Sequence, residues 1–207
     1  MINYYAKIVL FLLISVLVAI KKLKNIGVFA SPDLDCRLLN YNGWLCQQGY
    51  GVGSRGLLIE NCYSNGYIYG EVGGLCGKYT IQYGGELTIK NSYTLGDNQY
   101  GGLVNSSYSS QYTSTLIIEN CKTYGDIYKI NGNYGSGGFL GYNNKYNDSN
   151  ESVFKIKNSI SAGNIYDWNS GGFFGGGYGY NSDVSANVAN SMYIGFLRKS
   201  GDSLPID

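Results

Sequence analysis

The sequence predicts an all-β protein: a single-stranded parallel β-helix, or β-solenoid, of about five short rungs, preceded by a hydrophobic N-terminal helix. Three observations lead to this prediction. A unit of about 30 residues recurs along the chain, the composition is rich in glycine and tyrosine but poor in proline, and one uncharged apolar run lies near the N-terminus. A sequence period of roughly 20 to 50 residues is typical of solenoid folds. We therefore expect a solenoid domain in residues 31–207 and a separate segment in residues 1–30.

The N-terminal segment has the composition of a signal peptide or a membrane anchor. Residues 8–20 are uncharged, with Lys7 before them and a lysine cluster at 21, 22 and 24 after them. As a helix they would extend about 20 Å, less than the roughly 30 Å hydrocarbon core of a bilayer, which favours the core of a signal peptide. If the helix begins near Ile2 it nearly spans a bilayer, and the lysines would keep its C-terminal side cytoplasmic. A hydrophobic helix packed within an assembly is the third interpretation. In the first two cases the protein is secreted or membrane-associated.

Each repeat opens with an aliphatic residue that is followed, two positions later, by asparagine. A small residue comes directly after the asparagine, and a glycine lies five residues after it. In a parallel stack, equivalent residues of adjacent rungs lie about 4.8 Å apart, so like side chains form ladders and asparagines can hydrogen-bond along them. The opening residues are Ile59, Ile89, Ile118, Ile156 and Val188, and the predicted structural ladder is Asn61, Asn91, Asn120, Asn158 and Asn190.

The second half of each repeat carries a Gly-Gly pair followed by large apolar residues. The four copies read GGLCG at 73–77, GGLVN at 101–105, GGFLG at 137–141 and GGFFG at 171–175. Gly-Gly pairs allow backbones to pack closely where no side chain would fit. We expect Leu75, Leu103, Phe139 and Phe173 to fill the interior, a cap in residues 31–48, rungs in about 49–197 and a tail in 198–207.

The residue after each rung-opening aliphatic is predicted to point outward, and its charge alternates in sign along the chain. These residues are Glu60, Lys90, Glu119, Lys157 and Ala189. In an in-register parallel stack this alternation places opposite charges side by side, whereas a ladder of like charges would be destabilising. The pattern therefore favours stacking of each repeat directly on the next.

These units resemble the GLUG-type repeat, in which asparagine, tyrosine and glycine precede a GGLxG run. The clearest match is IENCYSNGYIYGEVGGLCG at 59–77, and the resemblance covers most of residues 43–197. Such repeats are known from bacterial surface proteins and from proteins of large DNA viruses. The resemblance implies a right-handed parallel β-helix in a surface or structural role, and it implies no catalytic residue and no cofactor.

The five cysteines fit the same repeat frame. GWLCQ at 43–47 matches GGLCG at 73–77, which places Cys46 directly under Cys76 on adjacent rungs, within the Cα range of a disulfide. Cys46 and Cys76 are thus the candidate disulfide. Cys62 and Cys121 share a ladder but are separated by the rung of Ser92, about 10 Å apart, so we expect them to be small buried residues. Cys36 has no partner at an equivalent position.

The composition argues against several functions. Histidine is absent, which removes the commonest general base and the commonest zinc ligand. The formal net charge of +1 gives no electrostatic steering toward nucleic acid. We therefore expect no cofactor, no metal site and no nucleic-acid partner.

The remaining function classes are a surface or assembly protein, a carbohydrate-binding module and a glycan-cleaving enzyme. The 22 tyrosines favour the first, because tyrosine gives a large contact area with a polar tip. The enzyme would need paired carboxylates such as Asp97 and Asp126, which follow glycines on successive rungs, or Asp167 near the same edge. Aspartate after glycine is common in turns, so we favour a turn role for these aspartates over a catalytic one. We expect a non-enzymatic structural, adhesive or assembly protein that contacts proteins through its surface and its solenoid ends, with glycans as the alternative ligand.

Overall fold

The computed structural model describes residues 22–29, 43–46, 49–51, 53–66, 73–78, 80–81, 84–97, 101–104, 114–128, 136–141, 152–166, 171–175, 184–195 and 197–198. The predicted hydrophobic helix, the cap up to residue 42 and the tail after residue 198 lie outside these residues. No helix within the described part of the chain is long and apolar enough to cross a membrane.

The described residues form fifteen short strands and no helix. The strands are β1 (Lys22–Lys24), β2 (Gly27–Phe29), β3 (Leu57–Glu60), β4 (Tyr63–Asn65), β5 (Glu86–Lys90), β6 (Tyr93–Thr94), β7 (Thr115–Glu119), β8 (Lys122–Thr123), β9 (Ile127–Tyr128), β10 (Ser152–Lys157), β11 (Ile160–Ala162), β12 (Ile165–Tyr166), β13 (Val184–Ala189), β14 (Met192–Ile194) and β15 (Leu197–Arg198).

The strands stack into three parallel sheets, and this arrangement confirms the predicted β-solenoid. The first sheet has the order β1-β3-β5-β7-β10-β13, the second runs from β2 through β4, β6, β8 and β11 to β14, and the third joins β9, β12 and β15. Each strand pairs with its equivalent one repeat later: Ile59 lies beside Ile89, and Ile89 beside Ile118. We call the stretch from one strand of the first sheet to the next a coil.

The solenoid begins earlier than the predicted boundary at residue 31. Strand β1 pairs with β3, which places Leu23 beside Ile59, and β2 pairs with β4. The first sheet therefore has six strands, one more than the five predicted rung-opening positions. Residues 43–46 also belong to this first coil, because Cys46 forms a parallel bridge with Cys76.

The core consists of apolar ladders inside the stack. Strands of the first sheet alternate between buried and half-buried side chains, as β5 and β7 show. The inward residues Ile59, Ile89, Ile118 and Ile156 are at most 1% exposed. Burying each such side chain contributes about 1.5–3 kcal/mol, so the repeated aliphatic position is a main source of stability.

The Gly-Gly pairs lie where neighbouring coils approach most closely. Parallel bridges join Gly73, Gly101, Gly137 and Gly171 in one ladder. A Cβ atom added to Gly102 would lie 1.9 Å from the carbonyl oxygen of Gly138. The predicted interior residues follow directly: Leu75, Leu103 and Phe139 are fully buried, and Phe173 is partly buried against the same core.

Candidate functional site

Asparagines form the turn between the first and second sheets in every coil. The predicted ladder residues Asn61, Asn91, Asn120, Asn158 and Asn190 all have φ between 48° and 54°, and Asn25 adds a sixth member at 57°. This is the left-handed region, which asparagine tolerates better than most residues. The Asn61 amide donates to Asn25 Oδ1 at 3.0 Å, and the Asn120 amide donates to Asn91 Oδ1 at 3.2 Å. The repeated turn therefore sends each strand of the second sheet in the same direction and presents a row of exposed amides.

The small residue after each asparagine fastens one coil to the next. The Cys62 N–H donates to Ser92 Oγ at 3.1 Å, and Ser92 Oγ donates to the Lys90 carbonyl at 2.8 Å. The same bonds recur at Cys121 and Ser159. These side chains are thus structural members of the stack and lie beneath the outer surface.

The outer face of the second sheet carries two adjacent columns of apolar and aromatic residues. One column runs in register through Tyr63, Tyr93, Lys122, Ile160 and Met192. The Tyr63 and Tyr93 rings stack with centroids 5.1 Å apart and planes 7° from parallel. Met192, at the end of this column, is 55% exposed.

The second column lies two residues further along each strand. It includes Leu95, which is 42% exposed, Tyr124, which is 45% exposed, and Ile194, which is 53% exposed. The backbone bond from Tyr124 N–H to the Thr94 carbonyl keeps these residues in the same stacking register. Large apolar side chains therefore remain accessible beside β6 and β8 and on β14.

A groove of about 550 Å³ lies across this face, between neighbouring coils. Asparagine amides from the turn form one side, tyrosine rings and Leu95 form another, and one ammonium group lies among them. Its lining residues are Asn91, Ser92, Tyr93, Leu95, Asn120, Lys122 and Tyr124. The groove can offer ring faces for stacking together with amide donors and acceptors.

The outer face of the first sheet is different because it carries a column of charges that pair with one another. Glu60 lies between Lys24, at 2.6 Å, and Lys90, at 3.0 Å, while Lys157 lies 3.8 Å from Glu119. Hydrogen bonds from Lys24 and then Lys90 lower the pKa of the Glu60 carboxyl. The predicted charge alternation is confirmed, and Lys24 extends it by one coil.

The candidate disulfide is not formed, although Cys46 and Cys76 are neighbours as predicted. Both thiols are free and buried. In an in-register parallel pair the Cβ atoms point the same way and stay about 4.8 Å apart, whereas a disulfide needs about 3.5–4.5 Å. Burial, and then a hydrogen bond with Cys76, raises the pKa of the Cys46 thiol well above its ordinary value. The Cys46 thiol therefore lacks the thiolate character that oxidation and metal binding require.

The other two described cysteines are also buried in the small-residue ladder. The Cys62 thiol donates to the Glu60 carbonyl at 3.2 Å, and the Cys121 thiol donates to the Glu119 carbonyl at 3.2 Å. Burial raises the pKa of the Cys121 thiol to about 12. Cys36 lies outside the described residues.

The aspartates considered for glycan cleavage lie on adjacent coils but bind backbone. Asp97 Oδ1 accepts a hydrogen bond from the Asp126 N–H at 2.8 Å, and Asp126 Oδ1 accepts one from the Asn164 N–H at 2.7 Å. The Tyr128 hydroxyl donates to the other Asp126 oxygen at 3.1 Å. Burial, with a smaller contribution from the Asp126 charge, raises the pKa of Asp97. Both carboxylates therefore join coil to coil at a turn; Asp167 lies outside the described residues.

Among the described residues no group of three or more cysteine, aspartate or glutamate side chains could hold a metal ion. The chain matches no family model, no curated protein and no solved structure.

The groove was missed by sequence reasoning, although the repeat contained a signal for it. Tyr93 and Lys122 each lie two residues after a ladder asparagine, and Leu95 and Tyr124 each lie four residues after one. Extending the register from the asparagine through two further outward positions would have placed all four side chains on one face.

Proposed function

We propose that this protein is a non-enzymatic structural, adhesive or assembly protein at a membrane, cell surface or virus particle. It contacts other proteins through the outer face of its second sheet. The observation that supports this proposal is the contrast between the two outer faces: the first sheet carries a column of charges paired within the chain, while the second exposes Leu95, Tyr124, Met192 and Ile194.

Exposed apolar columns of this kind are typical of interaction surfaces. Single exposed apolar residues are normal on soluble proteins, but contiguous patches mark sites of contact. Tyrosine adds to such a surface because it loses little conformational entropy on binding and keeps one polar tip. Lys122 is the one charged side chain among the described residues of the two columns. Because charged groups bind water most tightly, a partner that covers this face displaces little tightly bound water.

A photo-reactive amino acid at position 95 tests this proposal in the full-length chain in its native membrane or particle. Ser185 is the matched control position, because it is exposed and lies in β13 of the first sheet. We expect a discrete cross-linked protein from position 95 and none from position 185. Equal cross-linking from both positions, or none from position 95, would show that the second sheet is not the contact face.

Carbohydrate binding is the second candidate, and the groove supports it. Sugar rings stack on tyrosine faces, and the amides of Asn91 and Asn120 could hydrogen-bond to hydroxyl groups. Glycan-array binding that is lost in Tyr124→Ala but kept in Tyr166→Ala would favour this function, since Tyr166 stacks on Tyr128 outside the groove. Release of reducing sugar would instead favour a glycan-cleaving enzyme.

The proposed location rests on the hydrophobic sequence of residues 8–20, for which we propose a helix. We also propose that the solenoid is right-handed, as the resemblance to the GLUG-type repeat implies. The intact mass and membrane partitioning of the native protein test the location. Loss of the hydrophobic residues 8–20 with a soluble product that keeps β1 would support secretion, whereas retention of Met1 in a membrane or particle would support a role as an assembly component.

A further inference from the structure

In the described part of the chain, inward side chains at the C-terminal end of the solenoid are exposed, whereas those at the N-terminal end are buried. Val188 occupies the same inward ladder as Ile156, yet Val188 is 40% exposed and Ile156 only 1%. At the opposite end, Leu23 and Val28 are 2% and 8% exposed although they belong to the first coil. The exposed interior is therefore confined to the last coil.

Two of the three strands at this end, β13 and β14, lack the features that usually prevent strands from pairing with other chains, while the third, β15, carries Arg198. Among the described residues no strand lies beyond β13 or β14 in their sheets. Natural edge strands are commonly protected by lysine, proline or inward-pointing charge. Strand β13 has the sequence VSANVA and β14 has MYI, so neither carries a charge or a proline. By contrast β1, at the N-terminal end, has the sequence KLK.

We propose that the C-terminal end is a self-association surface, on which β13 of a second copy pairs antiparallel with β13 across a two-fold axis. A two-fold axis at β13 places this strand beside the same strand of the second copy, so a charged strand would repel its copy, whereas the uncharged β13 does not. A closed dimer also fits one exposed end, because head-to-tail stacking would need the buried N-terminal end. This surface is separate from the second-sheet face, so either proposal can fail alone.

The alternation of β13 limits the register of this pairing. Directly opposite residues of an antiparallel pair point to the same face, so inward residues must lie opposite inward residues. Ala186 and Val188 point inward, because they continue the ladders of Phe154 and Ile156. An axis at Asn187 places Val188 opposite Ala186 of the second copy and places the two Asn187 side chains opposite each other on the outer face.

Sedimentation velocity of the full-length chain in detergent, over a wide concentration range, tests the proposal. We expect a monomer–dimer equilibrium. Val188→Lys should raise the Kd at least about tenfold, because it introduces an unpaired charge into the interface. Ser185→Lys is the matched control on the same strand: its side chain points outward and its partner position in this register is Ala189, so it should change the Kd little.

A charge-swap experiment tests the two-fold axis itself. Asn187→Lys and Asn187→Asp should each raise the Kd by about two- to fivefold, because like charges would meet at the axis. An equimolar mixture of the two variants should restore the dimer, and high salt should weaken this rescue. The proposal would be overturned if Val188→Lys left the dimer Kd unchanged, or if the equimolar mixture of the Asn187 variants did not restore the dimer.

A monomer at every concentration would also overturn it. If β13 amides were then protected from hydrogen exchange, the nine residues after Arg198 would be the cover of the edge. If they were unprotected, the edge would simply be exposed.

Discussion

Replacing Ser92 with alanine tests whether the small-residue ladder holds neighbouring coils together. Ser92 is 1% exposed, and its hydroxyl accepts from the Cys62 N–H at 3.1 Å and donates to the Lys90 carbonyl at 2.8 Å. Alanine removes both bonds. The Lys90 carbonyl keeps the hydrogen bond from the Asn61 N–H at 3.2 Å, but the Cys62 N–H loses its acceptor inside the stack.

The expected loss follows from that orphaned donor. Leaving a buried N–H without a partner costs about 1–3 kcal/mol, so Ser92→Ala should lower the free energy of unfolding by about 2 kcal/mol. Ser92→Cys is the matched control, because cysteine fills the same position in the coils on either side. At the equivalent position of the next coil, the Cys121 thiol donates to the Glu119 carbonyl at 3.2 Å. A cysteine at position 92 can make the same bond, so we expect Ser92→Cys to lower the free energy of unfolding by about 1 kcal/mol or less.

Urea denaturation of the full-length protein measures both variants. The midpoint should fall in the order wild type, Ser92→Cys, Ser92→Ala, with similar slopes. If Ser92→Ala unfolds at the wild-type midpoint, or if the cysteine variant is the less stable of the two, the ladder bonds do not stabilise the stack as reasoned.

Two further predictions concern Gly102, in a Gly-Gly pair, and the half-buried Asp97. Gly102→Ala should lower the free energy of unfolding by about 3 kcal/mol or more, because the added Cβ clashes with the Gly138 carbonyl. The control is Gly56→Ala, which should cost about 1–2 kcal/mol, because Gly56 has φ +70° but nothing lies within 4 Å of its added Cβ. Equal urea midpoints for the two variants would contradict this prediction. Asp97 has a folded pKa above its ordinary 3.8, so its ionised form destabilises the folded protein above the folded pKa, and the penalty vanishes as pH falls below 3.8. Asp97→Asn should therefore raise the thermal midpoint at pH 7, and the gain should shrink toward pH 3.8; a gain independent of pH would refute it.

The stacking register could be predicted from sequence because several residue types repeat it independently. The aliphatic position at Ile59, the charge at Glu60 and the asparagine at Asn61 each recur in the next repeat, and all three require the same one-coil offset. The structure pairs Ile59 with Ile89 and Glu60 with Lys90 accordingly. Agreement among three kinds of side chain made the fold predictable without any detailed packing.

The first coil was missed because two different physical requirements favour lysine at the same place. Lysines after an apolar run are expected to flank a membrane segment, and Lys22 and Lys24 fitted that interpretation. Lys24 instead pairs with Glu60 on the outer face of the stack. The signal was Leu23, Lys24, Asn25, which repeats the aliphatic, charged, asparagine order of the later coils.

The cysteine pair shows which part of a contact sequence can predict. The repeat frame places Cys46 beside Cys76, because it fixes which coils are adjacent. The same in-register parallel stacking also makes the two Cβ bonds point the same way, which a prediction from Cα proximity alone leaves out. Bond formation depends on that direction as well as on proximity, so the neighbours were predicted correctly and the disulfide was not.

The two outer faces have opposite consequences for binding. On the first sheet, Glu60 already has two ammonium partners within the chain, and a ligand there would have to displace charges that are both hydrated and paired. On the second sheet and at the β13 edge, the exposed groups are tyrosine rings, aliphatic side chains and strand backbone. Burying the rings and aliphatic side chains is favourable without a matched charge on the partner, whereas the strand backbone needs hydrogen bonds from the partner. This contrast is the reason why the proposed partner contacts are placed on the second sheet and at the C-terminal end rather than on the paired charges of the first sheet.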